Sequence, residues 1–169
     1  NSSLLWVFCR CVAPVALHWI GAVRSAEAFA TMASGMGWQV TVIDHRESRL
    51  RELQLPPMVK RLVRRAEQGI VDLPLDSRTT IALLTHIFEI DLAWLKSLLP
   101  HPVSSVGVLG SRNRASRLVA KLSSDGAPIT EAMNRRRFAP SGWDMGGAIL
   151  GSFVLAGSAK MEGVLACRS

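Results

Sequence analysis

The stretch VALHWIGAVRSAEAFATMASGMGWQVTVID, residues 15–44, decides the fold. It begins with an apolar run at residues 15–20, which predicts a buried strand that ends at Gly21. Residues 25–36 carry apolar side chains three and four positions apart, which predicts an amphipathic helix. Residues 38–43 are rich in β-branched side chains and predict a second strand. A strand, a helix and a strand within about 30 residues are typical of a parallel β-α-β unit.

The same alternation continues along the rest of the chain. Strands are predicted at residues 69–73, 79–85 and 105–109, helices at residues 58–66, 88–99, 113–122 and 148–166, and a loop-rich segment at residues 124–147. This order predicts an α/β fold, a three-layer Rossmann-like domain with a mostly parallel sheet. We assign residues 15–169 to that domain. Residues 1–14 are interpreted as a linker or the remnant of a missing N-terminal region.

The composition limits the class of function. Hydrophobic residues make up 49% of the 169 residues and charged residues 20%, which predicts a folded chain. The 20 Lys and Arg outnumber the 13 Asp and Glu, giving a net charge of +7. This charge predicts an anionic ligand or partner, such as a phosphate-bearing cofactor or an acidic protein surface. No nucleic-acid-binding signature accompanies the charge, so we expect no nucleic acid partner.

Cysteine usage and hydropathy indicate the compartment. Cys9, Cys11 and Cys167 are too few, and odd in number, for a disulfide framework, which favours the reducing cytoplasm. The four histidines are scattered and show no metal-ligand spacing, so we expect no metal site. The uncharged run at residues 145–159 is shorter than the roughly 20 residues of a membrane span. The sequence therefore predicts a cytoplasmic protein without membrane contact.

The first strand-to-helix turn has the position of a dinucleotide phosphate loop. Parallel α/β sheets bind ligands beyond the carboxyl ends of their strands, and Gly21 begins such a turn. Val23 occupies the place of the second glycine and would obstruct a pyrophosphate, although Arg24 could attract an anion. Asp44, which comes 23 residues after Gly21, could bond ribose hydroxyls or cap the next turn. The strand end from Asp44 to Arg46 is one of the positions at which we expect a ligand. These features leave NAD(P) open as a weaker alternative.

A histidine and a carboxylate follow the central strand at residues 79–85. Thr85 is the last residue of this strand and His86 follows it, and Asp91 lies in the first turn of the next helix. The pair of His86 and Asp91 could serve proton transfer. No nucleophile at a defined spacing accompanies it, so helix capping near the positive end of the dipole, or ligand contact, is favoured.

The turn Gly110-Ser111-Arg112-Asn113-Arg114 is the strongest local indication of an anion site. A Gly-Ser turn at a helix N-terminus presents free backbone N–H groups and the positive end of the helix dipole. Arg112 and Arg114 add charge and bidentate donors. The alternative is a basic helix face in water.

Four segments together resemble one protein family. They are GWQVTVIDHR at residues 37–46, LPLDSRTTIALLTHIFEIDL at residues 73–92, VGVLGSRNRASRL at residues 106–118 and APSGWDMGG at residues 139–147. In this order and spacing they resemble the C-terminal Rossmann-like domain of the XdhC/CoxI family, the xanthine dehydrogenase accessory proteins. The resemblance covers roughly residues 15–166.

The resemblance implies a carrier and chaperone and not a turnover enzyme. Such a protein binds the molybdenum cofactor (molybdopterin), assists its sulfuration and delivers it to an apo-xanthine dehydrogenase or a related molybdenum hydroxylase, with a cysteine desulfurase as a further partner. By motif position, the implied polar residues are Asp44, His86, Asp91, Gly110, Ser111, Arg112 and Asp144. The alternatives are an NAD(P)-dependent oxidoreductase and a diverged interaction module. A homodimer is left open.

Overall fold

Strands and helices alternate along the residues that the computed structural model describes, which are 15–70, 72–109, 111–126 and 138–141. The strands are β1 (Ala16–Ile20), β2 (Gln39–Asp44), β3 (Lys60–Val63), β4 (Thr79–Leu83), β5 (Ser105–Leu109) and β6 (Phe138–Ser141). The helices are α1 (Ser25–Gly35), α2 (Glu47–Glu52), α3 (Phe88–Leu98) and α4 (Arg112–Ser124), and a short 3-10 helix spans Ala66–Gln68. Within these ranges no helix is long and apolar enough to cross a membrane.

The six strands form one sheet in the order β3-β2-β1-β4-β5-β6. Every pair of neighbouring strands is parallel. This arrangement confirms the predicted Rossmann-like α/β fold. The direction in which strands are added reverses between β1 and β4, so the carboxyl ends of these two strands form the topological switch point at which such sheets bind ligands.

Both faces of the sheet are covered by apolar side chains. Alternate residues of a strand point to opposite faces, so Leu17 and Trp19 of β1 pack with α1, whereas Ile20 packs with α3. The helix spacing predicted for α1 is confirmed by its buried residues, which are Ala26, Phe29, Ala30 and Ala33. The rings of Trp19 and Phe29 lie 4.6 Å apart between their centroids. Burial on both faces explains the near-continuous apolar strands of the sequence.

The helix predicted at residues 58–66 is wrong, because this segment forms β3 and the start of the 3-10 helix. Lys60 pairs in register with Thr41 of β2, and the strand lies at the edge of the sheet. Charged residues are common on edge strands because they discourage pairing with other chains. The apolar residues of this segment fit a helical period equally well, so their spacing did not separate the two structures.

Other predicted elements differ in smaller ways. The strand predicted at residues 69–73 is wrong, since the described residues there form turns. The loop-rich segment at residues 124–147 contains β6, and the six-residue helix α2, with one buried residue, was not predicted. The helix predicted at residues 148–166, residues 1–14 and all three cysteines lie outside the described residues.

Candidate functional site

A cleft of about 250 Å³ opens at the carboxyl ends of β1, β2, β3 and β4. Its apolar lining residues include Ile20, Ile43, Ile87, Ile90 and Trp94. The polar residues that follow these strands lie at the same edge of the sheet because all four strands are parallel. The cleft therefore lies at the switch point, the position where parallel α/β sheets bind ligands.

Gly21 allows the ends of β1 and β4 to approach each other at the base of the cleft. Its φ is +120°, and a Cβ atom there would lie 2.6 Å from the carbonyl oxygen of Leu84. Gly21 N–H donates to the Ile43 carbonyl at 2.8 Å, and Leu84 N–H donates to the Ile20 carbonyl at 2.8 Å. Backbone hydrogen bonds of Ile20 and Gly21 thus join the ends of β1, β2 and β4, and a side chain has no space at the glycine.

The Asp44 carboxylate is buried and accepts four hydrogen bonds. Ala22 N–H donates to Oδ2 at 2.6 Å, and Arg46 N–H donates to Oδ1 at 2.9 Å. The Arg46 guanidinium donates from Nε to Oδ1 at 3.0 Å and from Nη2 to Oδ2 at 2.9 Å. Burial raises the pKa of Asp44, but these hydrogen bonds and the charge of Arg46 outweigh burial and lower the pKa to about 2. The carboxylate is therefore ionised and fixed in place.

This depressed pKa predicts acid sensitivity. Because the pKa of Asp44 is lower in the folded chain than its ordinary value of 3.8, its contribution is complete above pH 3.8 and is lost as the pH falls toward 2. A shift of this size corresponds to about 2 kcal/mol of the free energy of unfolding. We expect Asp44→Asn to remove this part of the acid dependence in urea titrations between pH 2 and pH 6. The exposed Glu52→Gln is the control, and an acid profile for Asp44→Asn equal to that of wild type would contradict the prediction.

Three arginines line the cleft, and they differ in how they are held. Arg46 is bound to Asp44. Arg64 donates to the Asp72 carboxylate at 2.7 Å and to the Gly69 carbonyl at 3.2 Å. Arg65 is exposed and forms no ion pair with an acidic residue of the described chain. Arg65 is thus a cation of the cleft without an ion pair in the described chain, and Glu67 is a carboxylate of the same cleft that also forms none there.

Thr85 at the rim of the cleft is linked to α4 through a buried carboxylate. Thr85 Oγ1 donates to Asp91 Oδ1 at 2.6 Å, and Arg114 Nη2 donates to Asp91 Oδ2 at 2.7 Å. Asp91 is 1% exposed, and its side chain does not cap its own helix. Arg114, predicted to bind an anion, therefore uses part of its guanidinium to hold Asp91. The sequence does not favour proton transfer by His86 and Asp91, and their contact with a ligand stays a prediction.

The other predicted site residues are distributed around this edge. His86 is exposed and has a φ of +62°, a conformation that is uncommon for residues other than glycine. Ser111 caps α4, because its hydroxyl accepts a hydrogen bond from Arg114 N–H at 3.3 Å. Arg24 does not line the cleft but lies in a separate depression beside α2, with Glu27 and Arg49. Gly110, Asp144 and the side chain of Arg112 lie outside what the structure describes.

The structure brings together Gly21, Asp44, Arg46 and Thr85, with Asp91 and Arg114 behind Thr85. Sequence reasoning missed His45, Arg64, Arg65 and Glu67, which also line the cleft. Arg64 and Arg65 directly follow β3, so recognition of that strand would have placed them at this edge. Among the described residues, no three His, Cys, Asp or Glu side chains are grouped closely enough to hold a metal ion.

Comparison with known proteins identifies the family. The family model of the XdhC Rossmann domain matches residues 17–150, which is more than half of the chain. The chain belongs to the XdhC family. The matched segment contains nearly all of the described sheet, from β1 to β6. A search of curated proteins gives no match.

A solved structure is similar to this XdhC domain. It is a xanthine dehydrogenase from Bacillus halodurans, with a TM-score of 0.71 and 19% sequence identity. The similarity covers 89% of this chain and 46% of the Bacillus halodurans chain, so the XdhC domain described here spans about half the length of that protein. At this level of identity, the similarity supports a common fold.

Proposed function

We propose that this XdhC domain binds the molybdenum cofactor as cargo and acts as an accessory protein for a xanthine dehydrogenase-type molybdenum hydroxylase. Membership of the XdhC family and the fold shared with the Bacillus halodurans protein support an accessory role in that system. The cleft at the ends of β1 to β4 is the observation on which cargo binding rests. The proposal includes sulfuration of the cargo with a cysteine desulfurase, insertion into the apo-enzyme, and a cytoplasmic location.

The residues of the cleft fit a heterocycle that carries a phosphate. Ile87 and Ile90 are the apolar lining residues with exposed surface for a ring system, and Arg46 and Arg65 offer guanidinium groups for an anion. The volume of about 250 Å³ is below the roughly 300–1,000 Å³ of typical small-molecule sites. We expect such a cleft to enclose one end of the cargo and leave the rest accessible. Partial enclosure suits a carrier, since the bound molybdenum centre must pass to the acceptor enzyme.

The chemistry of the cleft also favours a carrier over an enzyme. Thr85 supplies the one side-chain hydroxyl among the described residues that line the cleft, and this hydroxyl donates to Asp91. Asp44 is held ionised with its oxygens engaged by N–H donors, so it is a weak proton acceptor at neutral pH. These side chains can bind and orient an anionic ligand. They do not form the pair of nucleophile and base that covalent catalysis requires.

A ligand comparison tests the proposed function. We expect the melting temperature of the purified chain to rise with molybdenum cofactor under nitrogen, and native mass spectrometry to show a 1:1 complex. A ligand at a hundredfold excess over its Kd stabilises the folded state by about 2.7 kcal/mol. NAD and NADP are offered in parallel. A shift with these nucleotides but not with molybdenum cofactor would contradict the proposal and support an oxidoreductase.

A further inference from the structure

We propose that Arg46 and Arg65 form a subsite for a phosphomonoester, and that Asp44 anchors Arg46 instead of binding a ribose diol. This inference deepens the proposed function and rests on it for the choice of cargo. The ligand class is any compound with a terminal, dianionic phosphate next to a ring system. Two sources supply this chemistry, the phosphate of molybdopterin and the ribose 2′-phosphate of NADP.

The hydrogen bonds of Asp44 exclude the usual role of a carboxylate at this strand end. Such a carboxylate selects a free ribose diol by accepting hydrogen bonds from its hydroxyls. An ionised carboxylate has about four lone-pair sites. Those of Asp44 are used by Ala22 N–H, by Arg46 N–H and by two guanidinium contacts of Arg46, and the side chain is 3% exposed. A ribose diol would have to displace these donors.

The same contacts prepare Arg46 to bind an anion. The carboxylate holds the guanidinium through Nε and Nη2, and a guanidinium has five N–H donors. The remaining donors are available because the side chain is 46% exposed and lines the cleft. An arginine fixed in this way loses less conformational entropy when it binds a phosphate than a mobile one does.

Arg65 supplies the second charge, which the subsite needs because Asp44 neutralises Arg46. Asp44 pairs in register with Val63, and Arg64 N–H continues the pairing by donating to the Asp44 carbonyl at 3.0 Å. Arg46 and Arg65 each come two residues after this last register pair of neighbouring strands, and both line the cleft. Arg64 is held by Asp72, whereas Arg65 forms no ion pair within the described chain. A phosphate dianion with two arginines forms charge-assisted hydrogen bonds, the strong class of such bonds.

Calorimetric titration with two matched ligand pairs tests the subsite. The first pair is NADP and NAD, and the second is molybdopterin before and after phosphatase treatment. In at least one pair, we expect the member with the phosphomonoester to bind about 10- to 100-fold more tightly. Arg65→Gln should reduce this ratio to near one while leaving the contacts of Asp44 intact, and Arg46→Gln should also reduce it. Arg51→Gln, an exposed arginine of α2 paired with Glu47, is the matched control and should keep the ratio.

The outcomes separate the subsite from the proposed function. Three results would overturn the subsite. They are equal affinity within both ligand pairs, an affinity ratio that Arg65→Gln leaves unchanged, and no binding of any of the four ligands. Tight binding of molybdopterin without a preference for its phosphate would overturn the subsite and keep the proposed function. A preference for NADP over NAD that Arg65→Gln removes, with no binding of molybdopterin, would support the subsite and contradict the proposed function.

Discussion

Gly21→Ala is expected to lower the free energy of unfolding by roughly 3 kcal/mol or more, because backbone strain and a steric clash add at one position. The φ of +120° is unfavourable for any residue with a Cβ atom. The new Cβ would also lie 2.6 Å from the Leu84 carbonyl oxygen and 2.8 Å from its carbon, both backbone atoms that cannot rotate away. The ends of β1 and β4 would have to separate, which would disturb the cleft. Urea unfolding followed by tryptophan fluorescence measures the effect.

Two other glycines give matched controls for Gly21→Ala. Gly37 has a φ of +80° but no atom within 4 Å of an added Cβ, so Gly37→Ala isolates backbone strain, about 1–2 kcal/mol. Gly35 ends α1 with open space around it, and Gly35→Ala should be neutral or stabilising by up to about 1 kcal/mol. If Gly21→Ala cost no more than Gly37→Ala, the close approach of β1 and β4 would not be a structural requirement.

Arg114→Met is expected to lower the free energy of unfolding by about 2–4 kcal/mol, because it leaves a buried carboxylate without its cation. Asp91 is 1% exposed, and Arg114 supplies its charged partner at 2.7 Å. Methionine keeps much of the apolar stem, so packing changes little. Thr85 would remain the one described side-chain donor to Asp91. The loss should also loosen the rim of the cleft, since Thr85 is held through Asp91.

Arg117→Met is the matched control for Arg114→Met. Arg117 lies 5.3 Å and Arg114 5.8 Å from the centroid of the Phe88 ring, so both variants lose a cation–π contact. Arg117 forms no ion pair within the described chain, and its replacement should lower stability by no more than about 1 kcal/mol, the contribution of an exposed cation–π contact. Asp91→Asn combined with Arg114→Met should recover part of the loss by removing the unpaired charge. Equal effects of the two arginine variants would show that the ion pair contributes nothing.

The sequence was sufficient for the β-α-β unit because buried strands and an amphipathic helix have distinct periods. It was insufficient for β3, a four-residue strand whose exposed Lys60 and Arg61 have no alternating pattern to mark them. Pairing with β2, which lies far from it in sequence, determines this strand. Because a helix was predicted at residues 58–66 in place of β3, Arg64 and Arg65 were not assigned to the edge of the sheet that forms the cleft.

The sequence predicted where the candidate site lies in the fold, but not which residues of the site bind each other. Gly21, Asp44 and Thr85 follow strands, and the topology of parallel strands brings them together. The pairing of Arg114 with Asp91, 23 residues earlier, depends on how α3 and α4 pack, which local periodicity does not contain. The engagement of Asp44 by Arg46 likewise depends on burial at the end of β2. A carboxylate at this strand end suggested a ribose ligand, but the oxygens of Asp44 already accept hydrogen bonds from the protein.

Backbone amide chemical shifts during titration with molybdopterin test most directly whether the cleft is the binding site. For this 169-residue chain, ¹⁵N-labelled protein under nitrogen is suitable. We predict that the largest shift changes cluster at Gly21, Asp44, Arg46, Arg65 and Thr85, and that Arg65→Gln weakens the titration. Two results would contradict the claim that the cleft is the binding site. One is saturating shift changes confined to α4 or to the depression beside Arg24, and the other is no shift change at all.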